Sequence, residues 1–128
     1  MKLLLDTHLL LWIVSDSPRL PAAAREAVED SRAEVLFSVA SIWEVAIKIR
    51  LRQADMRWEA TVLRRGLLEN GFGEVPITGE HTLGIATLPS IHKDPFDRIL
   101  LAQAMADGIL LLTSDPLLAR YPAPVRLV

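Results

Sequence analysis

The chain lacks cysteine, which excludes disulfide frameworks and thiolate metal sites and is compatible with a reducing compartment. Aromatic residues are few, three Trp, three Phe and one Tyr, so the sequence shows no platform on which nucleobases stack. No segment reaches the roughly 20 uninterrupted apolar residues that a membrane span needs. Asp6 and His8 interrupt the apolar N-terminus, unlike a secretory signal. We therefore expect a soluble, cytoplasmic protein.

The chain also lacks an excess of positive charge. Its formal net charge is -2, which by itself gives no indication of nucleic-acid binding. An acidic cluster would lower that sum, so the distribution of charge is more informative than its total. Hydrophobic residues make up 51% of the 128 residues, which is ample for a packed core. Length and composition predict a single domain over residues 1–128.

Short apolar runs alternate with segments of helical periodicity. Strands are expected at residues 3–5, 35–37, 75–77, 109–112 and 125–128. Helices are expected at residues 7–14, 21–30, 39 to about 52, 57–69, 80–87 and 95–106, and Asp115-Pro116 opens a last short one. This alternation predicts an α/β fold with a central, mostly parallel five-stranded sheet flanked by helices.

Helical spacing of apolar residues also predicts which helix faces are buried. In the helix from residue 39 the recurring positions are Val39, Ile42, Trp43, Ala46 and Ile49. In the helix at 57–69 the positions expected to face the core are Trp58, Val62 and Leu68. All three tryptophans lie on such stripes, so core packing is favoured for them. Exposure of Trp12 or Trp58 would instead indicate a partner surface.

Four acidic residues lie just past apolar strands or in the first turns of the helices that follow: Asp6, Glu44, Asp97 and Asp115. In a parallel sheet the carboxyl ends of the strands meet at one edge, so these side chains are expected to converge there. Clustered carboxylates repel one another unless a hard cation such as Mg²⁺ or Mn²⁺ compensates their charge. The sequence therefore predicts a metal site suited to phosphate chemistry.

Helix capping is the structural alternative for most of these acids. Asp94-Pro95 and Asp115-Pro116 match helix starts, and Asp97 then falls at the third helical position. Residues 41–44 fit the capping-box pattern. Asp6 has no such explanation and follows a buried strand directly, so it needs partners. Taken together, the pattern favours a metal site for the four acids and a cap for Asp94.

The segments LLLDTHLLLW, SVASIWEVAIK, HKDPFDRILLAQA and LLLTSD resemble the motifs of PIN-domain nucleases, in particular the VapC-type toxins of VapBC toxin-antitoxin pairs. They occur in family order over nearly the whole chain. The resemblance implies a PIN-like fold and a Mg²⁺- or Mn²⁺-dependent endoribonuclease that hydrolyses RNA phosphodiester bonds. It implies catalytic, metal-binding roles for Asp6, Glu44, Asp97 and Asp115. It further implies a homodimer and a VapB-type antitoxin whose tail enters the active site.

Polar residues near these motifs are candidates for supporting roles. Hydroxyl groups that assist the acids would be those of Thr7, Thr113 or Ser114. Basic residues crowd positions 48–65, where they either hold the RNA backbone or form a solvated helix face: Lys48, Arg50, Arg52, Arg57, Arg64 and Arg65. Arg98 is expected to contact a phosphate or to pair with Asp94. The three histidines are left outside the catalytic set.

Three other functions share parts of this pattern. A phosphatase of similar design needs a second aspartate two positions after its nucleophile, and here that position is His8, which weakens the alternative. A structure-specific DNA nuclease uses the same metal chemistry and stays open. A non-catalytic PIN-like binding module would be expected to lack an acid, whereas all four are present.

Overall fold

A single parallel sheet forms the centre of the protein in this computed structural model, which describes residues 1–50 and 59–128. Its strands are β1 (Lys2–Leu5), β2 (Glu34–Ser38), β3 (Gly73–Val75), β4 (Leu110–Thr113) and β5 (Val125–Leu127). Their order across the sheet is β3-β2-β1-β4-β5, and each neighbouring pair is parallel. The predicted α/β fold with a central five-stranded sheet is confirmed.

Helices connect the strands and cover the sheet. They are α1 (Thr7–Val14), α2 (Ala22–Glu29), α3 (Val39–Arg50), α4 (Ala60–Glu69), α5 (Gly79–Gly84) and α6 (Pro95–Asp107), with short 3-10 turns at Ile85–Thr87 and Leu118–Arg120. The predicted end of the third helix near residue 52 and the predicted start of the fourth at residue 57 lie outside the described residues. Within the described ranges, no helix has the length and apolar character of a membrane span.

The sheet buries apolar side chains on both faces. Leu3, Leu4 and Leu5 are fully buried, as the uninterrupted apolar run of β1 predicts. Because successive strand residues point to opposite faces, Leu4 packs with α6 on one side, while Leu3 and Leu5 pack with α1 and α4 on the other. A central strand covered on both faces is a rigid base for the residue that follows it.

The strand order reverses at β1. The chain runs outward from β1 through β2 to β3 and then returns to place β4 on the other side of β1. The backbone N–H of Asp6 donates to Leu112 O at 3.1 Å, so the ends of β1 and β4 are joined directly. Open α/β sheets bind ligands beyond the strand ends at such a reversal, and this is where the acids follow the strands.

The third strand lies earlier than predicted. The sequence placed it at residues 75–77, but β3 spans Gly73–Val75 and pairs with Leu36–Ser38. Pro76 has no backbone N–H and therefore cannot continue the ladder. Its carbonyl instead accepts a hydrogen bond from Gln103 Nε2 at 3.2 Å. The strand therefore ends just before the proline.

Of the predicted helix faces, that of α4 is wrong and that of α3 is confirmed only in part, at Ile42, which packs against the core. On α3 the buried side chains are Ala40, Ser41, Glu44 and Val45, whereas Trp43 is 55% exposed. On α4 Leu63 and Leu67 are buried, whereas Val62 is 60% exposed and Leu68 is exposed. The α3 stripe was misassigned because the helix turns two polar residues inward, which apolar periodicity does not anticipate. Trp12 is partly buried against the core, and Trp58 lies outside the described residues.

Candidate active site

Asp6 is buried at the end of β1, with 3% of its surface exposed. Contrary to the sequence analysis, it has a capping role: Oδ1 accepts the backbone N–H of Leu9 at 2.9 Å, because α1 begins at the very next residue. Oδ2 accepts the hydroxyl of Thr113 at 2.5 Å. Burial raises the pKa of Asp6 although both hydrogen bonds lower it. A carboxylate has about four acceptor positions, so Asp6 keeps capacity for a further ligand.

Thr113 joins two of the predicted acids. Its hydroxyl donates to Asp6 and accepts the backbone N–H of Asp115 at 3.0 Å. Of the other candidate hydroxyl residues, Thr7 is buried and donates to Ser41 Oγ at 2.9 Å, which ties the start of α1 to α3. Ser114 is half-buried. Thr113 is thus the candidate hydroxyl residue that the structure places directly against an acid.

Glu44 projects from α3 into the same region and is 3% exposed. Its Oε2 pairs with Lys48 one turn later. Its Oε1 is buried and has no hydrogen-bond partner among the described residues. The capping-box alternative is wrong, because α3 begins at Val39 and Ser41 therefore lies inside the helix rather than at its cap. An unpartnered buried carboxylate oxygen is costly unless a ligand satisfies it.

Asp97 lies in the first turn of α6. Asp94 caps this helix through a 2.9 Å bond from Phe96 N–H, as predicted, which leaves Asp97 free of that role. The pKa of Asp97 is raised to about 7, first by burial and then by the charges of Asp94, Glu44 and Asp6, while His92 opposes the shift. Negative charges of three other residues, two of them on other segments, therefore act on this one carboxyl group.

Asp115 follows β4 at the rim of the site and is partly exposed. Its Oδ1 accepts the N–H of Leu117 at 2.9 Å, so the predicted last helix is instead a capped turn that leads into the 3-10 turn at Leu118–Arg120. Its Oδ2 lies 3.2 Å from His92 Nε2, which is also 3.3 Å from Asp97 Oδ2. Ligand atoms of these three side chains all lie within 4.8 Å of one another.

His92 is the site residue that sequence reasoning missed. It was set aside because a lone histidine is more often structural than functional. The overlooked signal was its position two residues before the cap of α6. Here its Nδ1 accepts the backbone N–H of Asp94 at 3.1 Å. That bond points the other ring nitrogen toward the acids.

The predicted basic residues are divided by the structure. Lys48 lies against Glu44; burial lowers its pKa, but the bond to Glu44 and the nearby acids raise it overall. Arg64 forms an ion pair with Glu74, and Arg65 is exposed on the same helix. Arg98 donates to the carbonyls of Pro89 and Ile85. The side chain of Arg50 and all of Arg52 and Arg57 lie outside the described residues.

This donor set fits a hard divalent cation. The contributing groups are carboxylates from four separate segments, with a histidine and a threonine hydroxyl beside them, and oxygen donors are what Mg²⁺ and Mn²⁺ prefer. The unpartnered Glu44 Oε1 is the specific observation, since a cation would satisfy it. Lys48 and the His92 N–H supply only part of the compensation that the acids need.

Comparisons with known proteins agree with this geometry. The sequence model of the PIN domain matches residues 3–124. Ribonuclease VapC22 of Mycobacterium tuberculosis is 30% identical over 125 residues, which is 95% of each chain. Among solved structures, the VapBC2 complex of Rickettsia felis bound to a promoter DNA fragment matches with a TM-score of 0.74 and 12% identity, covering 99% of this chain and 98% of that one. A toxin-antitoxin complex from Klebsiella pneumoniae matches with a TM-score of 0.66 and 20% identity, covering 96% and 94%.

Proposed function

The chain belongs to the PIN domain family, and from this premise we propose that it is a metal-dependent endoribonuclease, the toxin of a type II toxin-antitoxin pair. One observation carries the proposal most directly: acids from four segments converge at the strand-order reversal, and one buried oxygen, Glu44 Oε1, lacks a partner among the described residues. The relative named as a ribonuclease supports RNA as the substrate class.

The four acids, Asp6, Glu44, Asp97 and Asp115, would hold Mg²⁺ or Mn²⁺. When bound, such an ion supplies an activated water and stabilises the charge that grows on the phosphate and the leaving oxygen. Asp6 and Glu44 form the buried floor of the site, and Asp97 and Asp115 form its accessible rim. A phosphodiester would therefore approach from the rim side.

The other side chains orient these acids. Thr113 fixes Asp6 through its hydroxyl and Asp115 through the backbone N–H of that residue. Lys48 holds one oxygen of Glu44 and leaves the other available to the cation. These bonds restrict the acids before substrate arrives, so less ordering is needed at the moment of reaction.

Assembly and RNA contacts complete the proposal. We propose a VapB-type antitoxin as partner and a homodimer, which the likeness to toxin-antitoxin complexes supports. We also propose that residues 1–128 act as one domain in the cytoplasm, where RNA is available. Among the candidate basic residues that the structure describes, Arg65 is exposed, whereas Lys48, Arg64 and Arg98 have partners within the chain, so we propose Arg65 as a contact for RNA. The residues at 50, 52 and 57 stay candidates.

Substitution of Asp6 by Asn tests this function. Asn can still cap α1, so the fold should persist, but the loss of one negative ligand should abolish cleavage. Cleavage of structured RNA, single-stranded RNA and DNA is measured with Mg²⁺, with Mn²⁺ or with chelator. Asp16→Asn is the matched control, since Asp16 is an exposed acid that pairs only at the surface with Arg25.

The expected result is RNA cleavage that requires metal, is lost in Asp6→Asn and is retained in Asp16→Asn. Full activity of Asp6→Asn would overturn the assignment of the site. Cleavage of DNA alone would replace the ribonuclease by a DNA nuclease with the same metal chemistry. Silence on every substrate in a folded, metal-binding sample would favour a binding module.

A further inference from the structure

The tautomer of the His92 ring follows from its hydrogen bonds. Its Nδ1 lies 3.1 Å from the backbone nitrogen of Asp94, in hydrogen-bond geometry. An amide nitrogen can only donate, so Nδ1 must accept and carries no proton. The ring proton then resides on Nε2. A nitrogen that carries a proton cannot act as a metal ligand, so His92 faces the acids as a donor.

That donor lies between two carboxylates. The Nε2 of His92 is 3.2 Å from Asp115 Oδ2 and 3.3 Å from Asp97 Oδ2. Asp97 belongs to α6, whereas Asp115 follows β4, so the two acids come from different parts of the fold. His92 is the group that the structure places against both of them at once. It thereby links these two parts of the fold at the site.

The backbone of His92 is itself held in place. Its N–H donates to the hydroxyl of Tyr121 at 2.7 Å, and Tyr121 is buried. The guanidinium of Arg98 donates to the same hydroxyl at 3.3 Å and to Pro89 O at 3.0 Å. Buried neighbours therefore hold the backbone at His92. The ring is restrained both by this backbone contact and by the hydrogen bond at Nδ1.

We propose that His92 is a positioning residue for the metal site: its Nε2–H donates to Asp115 Oδ2, lies against Asp97 Oδ2 and leaves the remaining carboxylate lone pairs for the cation. This inference rests on the proposed metal-dependent function. Outer partners of this kind fix the direction of ligand oxygens and typically contribute about 10- to 100-fold to metal affinity. The opposite arrangement, a ring that only fills the cation position, would make His92 a competitor of the metal.

Two substitutions of His92 provide the test, because each one replaces the role of a different ring nitrogen by an amide group. His92→Asn keeps an acceptor for the Asp94 N–H but removes the distal donor, whereas His92→Gln extends an amide N–H toward the acids. His81→Asn is the matched control, because His81 also accepts a backbone N–H at Nδ1 and faces a carboxylate, but that carboxylate is Asp107, away from the acids. Mn²⁺ binding is measured by calorimetry and by the Mn²⁺ electron paramagnetic resonance signal, and folding by circular dichroism.

We expect His92→Asn to weaken Mn²⁺ binding by about 10- to 100-fold, His92→Gln to recover part of the loss, and His81→Asn to leave the affinity within about twofold of the wild type. Equal or tighter Mn²⁺ binding by folded His92→Asn would overturn the proposal. If His92→Asn does not fold, His92→Gln provides the test. Mn²⁺ binding by His92→Gln that is as weak as in a protein with one acid substituted would contradict the proposal that a donor at this position orients the acids. Wild-type protein that binds no Mn²⁺ would overturn the proposed function as well, which distinguishes the two failures.

Discussion

The two ends of α6 carry the same pair of residue types in different surroundings. At its C-terminal end, Asp107 meets His81, whose Nδ1 accepts the N–H of Thr78 at 3.0 Å. At its N-terminal end, Asp97 meets His92, whose Nδ1 accepts the N–H of Asp94. In each case a backbone donor fixes one ring nitrogen and directs the other to a carboxylate. The same hydrogen-bonding arrangement therefore occurs at both ends of α6.

The ends differ in how donors and carboxylates balance. His81 is almost fully buried and faces one carboxylate at 3.0 Å, so donor and acceptor are matched. His92 is shared by Asp97 and Asp115, and Asp6 and Glu44 add further negative charge. A donor matched to one carboxylate stabilises a fold. Several carboxylates without enough positive partners repel one another unless a cation binds. Surplus charge, rather than the His-Asp pair, marks the functional end.

The largest difference between the two ends of α6 is expected in the cleavage rates of two separate variants, Asp97→Asn and Asp107→Asn. Asp97→Asn removes a proposed metal ligand, and we expect cleavage to fall by more than roughly 100-fold, because loss of an outer partner alone costs 10- to 100-fold. Asp107→Asn should retain wild-type cleavage, since Asp107 touches no group of the acid cluster in the described part of the chain. RNA cleavage rates at saturating Mn²⁺ measure both. Equal losses in the two variants would remove the distinction.

The stability of the metal-free protein should change with pH because of Asp97. Its pKa is raised from 3.8 to about 7 in the folded chain. The stabilisation linked to its protonation is therefore complete below about pH 4 and is lost as pH rises through about 7. Asp97→Asn stays neutral throughout. With chelator present, we expect the variant to match the wild type near pH 4 and to exceed it at pH 8 by a few kcal/mol, since each unit of pKa shift corresponds to about 1.4 kcal/mol.

Chemical denaturation at both pH values measures this difference. Saturating Mn²⁺ at pH 8 is the control, since a ligand that binds only the folded state should stabilise the wild type more than Asp97→Asn and so reverse the order. A variant that is less stable than the wild type at pH 8 without metal would contradict the raised pKa.

The smallest effect is expected from substitution of Thr78, which lies beside His81 near the C-terminal end of α6. Thr78 caps α5 by accepting the N–H of His81 at 3.2 Å. Thr78→Val removes this acceptor and should lower the free energy of unfolding by about 1 kcal/mol. Metal affinity and cleavage should not change. Thermal unfolding and Mn²⁺ titration of the same sample check both statements, and weaker Mn²⁺ binding would show that the two ends of α6 are coupled.

Much of the fold could be predicted because the relevant signals are local. Apolar runs placed β1 and β4, and Asp94-Pro95 marked the start of α6. The errors arose where tertiary contacts decide. β3 ends before Pro76 because of a missing backbone donor in a ladder that the sequence does not display. Trp43 is exposed because α3 turns Glu44 inward instead.

The acids of the candidate site could be predicted from the sequence, but the contacts that hold them in place could not. The acids could be found because each lies just past a strand or in the first turns of a helix, and the carboxyl ends of parallel strands converge by topology. Neither the capping bond of Asp6 nor the place of His92 could be found, since each depends on a single backbone N–H in the folded chain. The roles of the four acids stay predictions until the substitutions above are measured.

The hydrogen bond between Thr113 and Asp6 joins residues 107 positions apart, and it lies at the centre of the sheet. Since β4 pairs directly with β1, this part of the sheet cannot close until the chain has been synthesised through Thr113 and β4 has left the ribosome. The acid cluster therefore cannot form while β4 is still inside the ribosome. Emergence of β4 sets the earliest moment at which this site forms.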